Sequence, residues 1–133
     1  MNADAISVVV VENQPLMLTA LSTALLAEGM TVLAEVKESG QAIQTVQRSK
    51  PQVVLFSVGK PSLPDLERIS ALRHEFPGVL ILALVSGDFR GQERMALDFG
   101  AHAVLTKAAP RAQLLNTVRE TLQSKLVGSE ISF

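Results

Sequence analysis

Three short stretches of this chain are apolar on both of the faces that a β-strand presents. Ile6–Val11 is broken only by Ser7, Gln52–Ser57 is built on Val53-Val54-Leu55-Phe56, and Val79–Val85 is apolar throughout. A strand with one face in water alternates apolar and polar side chains. These do not, so they are predicted to be covered on both faces. A parallel sheet with helices on each side does this, its crossovers right-handed. Thr31–Val36 and His102–Thr106 supply two further strands.

Helix-length segments separate the strands. Pro15 to about Glu28 opens on a proline, tolerated in a first turn, and closes at Gly29. Ser39 to about Ser49 has Ser39 as its expected N-cap and Pro51 as its stop. Pro64 to about Glu75 is ended by Pro77-Gly78. Asp88 to about Phe99 is closed by Gly100, and Gly91 weakens its first turn, which allows a later start. Pro110 to about Leu126 is the last helix. The pattern is five βα units: an α/β, doubly wound, five-stranded parallel sheet in a three-layer sandwich. Residues 1–127 are expected to form one domain, and 128–133 a tail or the start of a linker.

Composition narrows the function classes. Of 133 residues, 47% are hydrophobic and 19% charged, which suits a packed globular domain. A net charge of −1 gives no basis for direct binding of nucleic acid or anionic membrane. The absence of cysteine excludes disulfides, thiol catalysis and cysteine metal sites. Val79–Val85 is far short of the roughly 18 residues of a membrane span. Met1-Asn2-Ala3-Asp4 lacks the basic start of a signal peptide, so a cytoplasmic location is expected.

In an open doubly wound sheet, ligands bind beyond the carboxyl ends of the strands, where strand order reverses. For the order 2-1-3-4-5 that point lies between the first and third strands. The residues there are Glu12-Asn13 and Ser57, with Val85-Ser86 and Lys107 at the ends of the fourth and fifth strands. All are expected to converge on one cleft.

Three segments carry a resemblance. Val9-Val10-Val11-Glu12-Asn13-Gln14-Pro15, Pro51-Gln52-Val53-Val54-Leu55-Phe56-Ser57 and Gly100-Ala101-His102-Ala103-Val104-Leu105-Thr106-Lys107 resemble the receiver domain of two-component response regulators, the CheY-like superfamily. The likeness covers about Ile6 to Leu126 and is closest to the NarL/FixJ-like (LuxR-type) transcriptional regulators. The second segment is similar to the phosphoacceptor strand, normally Pro-Asp-Val-Val-Leu-x-Asp. The third, the most specific, is similar to Gly-Ala-x-Gly-Tyr-Leu-x-Lys. The interval from Asn13 to Ser57 fits without a gap. The resemblance implies a flavodoxin-like (βα)5 fold and phosphorelay signalling, with a histidine kinase as partner and Mg²⁺ held by a carboxylate pair and the acceptor aspartate.

The departures fall on the functional positions, so the likeness is to a degenerate receiver. Ser57 replaces the acceptor and cannot form the acyl phosphate that a carboxylate forms. Glu12 keeps a charge, whereas Asn13 is neutral. Mg²⁺ prefers hard, charged oxygens, so its binding is expected to be weak or absent, and no other metal or cofactor is indicated. The switch hydroxyl falls on Val85, with Ser86 one residue late, and the switch aromatic falls on Val104. Lys107 keeps its place, but Ala108 follows it where many receivers have proline.

Plainer roles stand beside these. Glu12 and Asn13 can serve only to shape the turn before Pro15. Ser57 is expected to be a loop serine bonded to backbone, and Lys107 to pair with Glu12. His74 and His102 read as surface or strand-end histidines. The expected function is that of a non-enzymatic, atypical receiver acting by dimerisation or partner binding and regulating transcription through an attached helix-turn-helix domain, the part that would touch DNA. A weakly active phosphorelay receiver is one alternative. A flavodoxin-like ligand-binding protein or enzyme is another, disfavoured by the absence of a Gly-x-Gly-x-x-Gly turn. Gln14 to Ala27 contains no charged residue, unlike an ordinary surface helix. With Met17, Leu21, Ala24 and Leu25 as its core stripe, Leu18, Ser22 and Leu26 would lie on a water-facing flank. They are the candidate homodimer contacts, alongside the last helix.

Overall fold

The computed structural model describes residues 5–87 and 91–130. In chain order the elements are β1 (Ser7–Val11), α1 (Pro15–Ala27), β2 (Thr31–Val36), a 3-10 turn (Ser39–Gln41), α2 (Ala42–Ser49), β3 (Val53–Ser57), α3 (Leu63–Glu75), β4 (Leu80–Val85), α4 (Gln92–Asp98), β5 (Ala103–Thr106) and α5 (Arg111–Glu130). All five strands are parallel, in the order β2-β1-β3-β4-β5. The fold is the expected α/β one.

The unbroken apolar strands divide their side chains between two cores. Val9, Val11, Val54, Phe56, Ile81 and Ala83 face the layer of α2, α3 and α4, where they meet Val46, Leu66, Ile69 and Leu72. Val8, Val10, Val53, Leu55, Leu82 and Leu84 face α1 and α5, against Leu21, Leu25, Leu114 and Val118. Each central strand is therefore apolar at even and odd positions alike, as both faces are dry. Edge strand β2 alternates in exposure. At the start of β5, His102 Nδ1 accepts a bond from the Ile81 N–H at 3.0 Å, which ties off the ladder at a strand end.

The helix boundaries differ from expectation for local reasons. Ser39 does not cap α2. Its hydroxyl donates to Asp65 Oδ1 at 2.6 Å, and a 3-10 turn takes up the slack. α4 starts at Gln92 because Gly91 takes a left-handed conformation, φ 86°; the expected start at Asp88 lies outside the described residues. α5 runs on to Glu130, beyond Leu126, so helix occupies part of the stretch expected to be a tail or linker. Residues 131–133 lie outside the described residues. Gly100, at φ 123°, also lets the chain pass α3, since a Cβ there would come within 2.9 Å of Arg73 Cβ.

The exposed flank of α1 differs from the expected one. Leu18 is 3% exposed and belongs to the core, and Ser22 is buried, its hydroxyl bonded to Glu35 on β2. Leu26 does face solvent, at 58%, as does Leu16, at 88%. The expected stripe leaned on Met17, which is only partly buried. A helix without charged residues has no polar face to set its rotation, so several stripes fit the sequence equally. Contact with β2 picks the one observed.

Leu18→Ala should therefore lower unfolding stability by about 2–5 kcal/mol in urea titrations, while Leu16→Ala should stay within about 0.5 kcal/mol of the parent. Equal effects of the two changes would contradict this orientation of α1.

Candidate functional site

The register brings the carboxyl ends of β1, β3 and β4 to one edge. Val11 pairs with Phe56, and Ser57 with Leu84. The order reverses between β1 and β3, and a cleft of about 490 Å³ opens there. Glu12, Asn13 and Ser57 line it together.

Glu12 extends the strand ladder by one bond, its N–H donating to Val36 O at 2.9 Å. That places its side chain inside the rim, with the residue 2% exposed. Oε2 accepts the Gln14 N–H at 2.9 Å and so shapes the turn into α1. Oε1 is buried with no hydrogen-bond partner among the described residues. Ser57 is the last residue of β3 and is 7% exposed, and its Oγ likewise has no partner among them. It is a strand residue, not a loop serine bonded to backbone. The turn bond is made by Glu12, while Asn13 stands exposed beside it.

The remaining predicted residues do not line this cleft. Val85 is buried beside Val58, Leu66, Gln92 and Met95. The Ser86 hydroxyl is turned to α4, where Gln92 Oε1 accepts it at 3.2 Å together with the Gly87 N–H at 3.1 Å. Val104 is half-buried and packs on the α2–α4 side. The Lys107 N–H bonds Val85 O at 2.8 Å. The expected pairing of Lys107 with Glu12 is not formed: no ion pair joins them among the described residues, and Oε1 stands unpartnered. The reason is distance across the sheet. Lys107 follows β5, and β4 and β3 separate that strand from β1.

Asp65 holds the far wall of the cleft and was not among the predicted residues. From the first turn of α3 it accepts the Gly59 N–H at 2.8 Å through Oδ2 and the Ser39 hydroxyl through Oδ1. Arg68, one turn on, donates to Ser39 Oγ at 3.0 Å and lies 3.4 Å from Asp65 Oδ1. The only signal in the sequence was an acidic residue in a helix's first turn, three before an arginine, which reads as a local pair. The links to Ser39 and Gly59 depend on how the loops meet.

The profile of the response regulator receiver domain matches residues 8–119. The chain belongs to that family. Among curated relatives, this receiver is 33% identical over 118 residues to the transcriptional activator protein ExaE of Pseudomonas putida, covering 86% of the chain and 54% of ExaE. It is 28% identical over 101 residues to the DNA-binding transcriptional activator EvgA of Escherichia coli K12, covering 74% of the chain and 48% of EvgA. The chain thus spans about half the length of these relatives. Among solved structures, the signal receiver domain of the response regulator NarL from Mycobacterium tuberculosis superposes with a TM-score of 0.81 at 22% identity, covering 90% of this chain and 97% of that one. The BeF3-activated N-terminal receiver domain of Klebsiella pneumoniae RstA gives 0.79 at 28% identity, covering 87% and 97%. No helix among the described residues is long and apolar enough to cross a membrane.

An unpartnered buried hydroxyl contributes nothing to folding, whereas the Asp65 carboxylate satisfies three donors. Ser57→Ala should leave stability within about 0.5 kcal/mol or raise it, and Asp65→Ala should cost about 1–3 kcal/mol. Chemical denaturation of both variants checks the contrast; a large loss from Ser57→Ala would mean that the hydroxyl has a partner.

Proposed function

We propose that this receiver is atypical and signals without aspartyl phosphorylation, through dimerisation or a protein partner. It would regulate transcription through an attached helix-turn-helix output domain. The observation that carries this reading is Ser57: a neutral, buried hydroxyl stands at the end of β3, where the resemblance puts the acceptor. Family members normally hold Mg²⁺ at the phosphorylation site. The donors here are one carboxylate, one amide and one hydroxyl. Mg²⁺ prefers charged oxygens and strict octahedral geometry, so this set does not fit it, and binding is weak or absent. Val85 offers no switch hydroxyl, and Ser86 is committed to Gln92.

The domain itself is not an enzyme in this reading. It is a cytoplasmic binding module, residues 1–127, with 128–133 leading towards the output domain. The activators it resembles, about twice its length, support that arrangement. Its partners would be a histidine kinase or other regulatory protein, and a second copy of itself. DNA contact would belong to the output domain. The exposed side of α1 supports self-pairing: Leu16, Thr19, Ala20, Thr23 and Leu26 form an uncharged strip along one helix face. α5 lies beside it, joined by the Arg119–Glu28 ion pair. An isologous contact through α1 and α5 would cover that strip.

Incubation with acetyl phosphate and Mg²⁺ should leave the intact mass unchanged; a stable, hydroxylamine-labile phosphoryl adduct would refute the reading. Ser57→Asp alone should restore little, since Asn13 and Val85 still lack the needed groups. The triple change Asn13→Asp, Ser57→Asp, Val85→Thr should incorporate more phosphate. Equal uptake by the two would show this account of the pocket to be wrong. Light scattering should report a dimer that Leu16→Lys combined with Leu26→Glu dissociates, and a monomeric parent protein would exclude the proposed contact.

A further inference from the structure

The geometry points to a pH-sensitive latch between β4 and β5: the neutral imidazole of His102 holds the start of β5, and its protonation releases it. The latch lies at the amino ends of the strands, away from the cleft, so it does not depend on the reading of Ser57. In a parallel ladder the N–H and the carbonyl of one residue bond the same neighbouring strand, at positions two residues apart. Ile81 O accepts the His102 N–H at 2.8 Å, which makes Gly100 O the regular partner of the Ile81 N–H. Gly100, however, takes φ 123°, and its carbonyl accepts Arg73 Nη1 at 2.7 Å. The Ile81 N–H bonds His102 Nδ1 at 3.0 Å instead. A titratable side chain thus stands in for a main-chain acceptor. An imidazole nitrogen that accepts a bond carries no proton, so the neutral ring holds its proton on Nε2. Protonating Nδ1 turns the acceptor into a donor aimed at another donor. Ile81 is fully buried, so its N–H then has no water to turn to, which is costly.

The charges on the surrounding elements act in the same direction or are engaged elsewhere. β4 and β5 carry none. On α3, Arg73 is held on Gly100 O, two residues from His102, and a fixed cation there disfavours a second. His74 and Glu75 on that helix are exposed. On α4, Arg94 and Asp98 pair with each other at 3.0 Å, and Glu93 is exposed. On α5, Arg119 pairs with Glu28, while Arg111 and Glu120 are exposed. The unfolded chain takes up a proton near the ordinary histidine value, about 6.5, whereas the folded chain must first open the latch. Below that pH the unfolded state binds more protons, so stability falls as pH drops. β5 leads through Lys107 into α5, and freeing its start loosens the strand that precedes the last helix.

The test uses the whole chain with His74→Gln, which leaves His102 as the single imidazole. Nitrogen NMR of the ring at slightly alkaline pH should place the proton on Nε2. On acidification the Ile81 amide signal should move with the same midpoint as the ring. In urea titrations the folding equilibrium constant should fall by up to about ten-fold per pH unit below about pH 6.5. Adding His102→Asn should remove that part of the decline, because its amide oxygen offers Ile81 an acceptor that does not titrate. A ring proton on Nδ1, an Ile81 amide indifferent to the titration, or an equally steep decline in the Asn variant would each overturn the latch. Should the Asn variant fail to fold, the ring tautomer and the Ile81 signal decide the matter in the chain that keeps His102.

Discussion

Burial of β1, β3 and β4 on both faces is the condition on which the molecule depends. Each strand gives one set of side chains to the α1/α5 layer and the other to the α2–α4 layer. A helix missing from either side would expose a row of Val, Leu or Ile to water, at roughly 1.5–3 kcal/mol for each side chain uncovered. This two-sided demand excludes a sheet open to solvent and requires crossovers on both faces. It also holds the strand ends rigid. Glu12 and Ser57 are positioned by ladder bonds and core neighbours, not by loops.

A rigid strand end has consequences when its chemistry changes. The backbone delivers position 57 to the same edge whatever its side chain, because the register of Val53–Ser57 with Leu80–Leu84 is set by core packing. A serine delivered there sits buried without the neighbours that would satisfy a loop serine. Glu12 is similar: one oxygen has a structural duty at the turn into α1, and the other has no partner among the described residues. The Asp65, Ser39 and Arg68 network keeps the opposite wall standing. A shaped, partly unsatisfied cleft results at the end of β1 and β3.

α1 shows the other side of the same physics. A helix with a polar face is oriented by its own sequence; one without charge is oriented by what it lands on. Here it lands on β1 and on edge strand β2, where Ser22 meets Glu35. Leu18 goes inward as a result, and Leu16 and Leu26 are left in solvent.

Much of this protein was legible in its residues. The doubly apolar strands, the Pro and Gly punctuation and the five-fold alternation determined a parallel α/β sheet, and the segments around Glu12, Ser57 and Lys107 placed those residues at strand ends. These properties depend on local periodicity and on which residues tolerate a turn, which a linear sequence records. Tertiary structure alone decided that Glu12, Asn13 and Ser57 line the expected cleft without Lys107. It decided the rotation of α1, the diversion of Ser39 from capping to Asp65, and the two oxygens left without a partner among the described residues. Those depend on distances between residues far apart in the chain, and no periodicity encodes them.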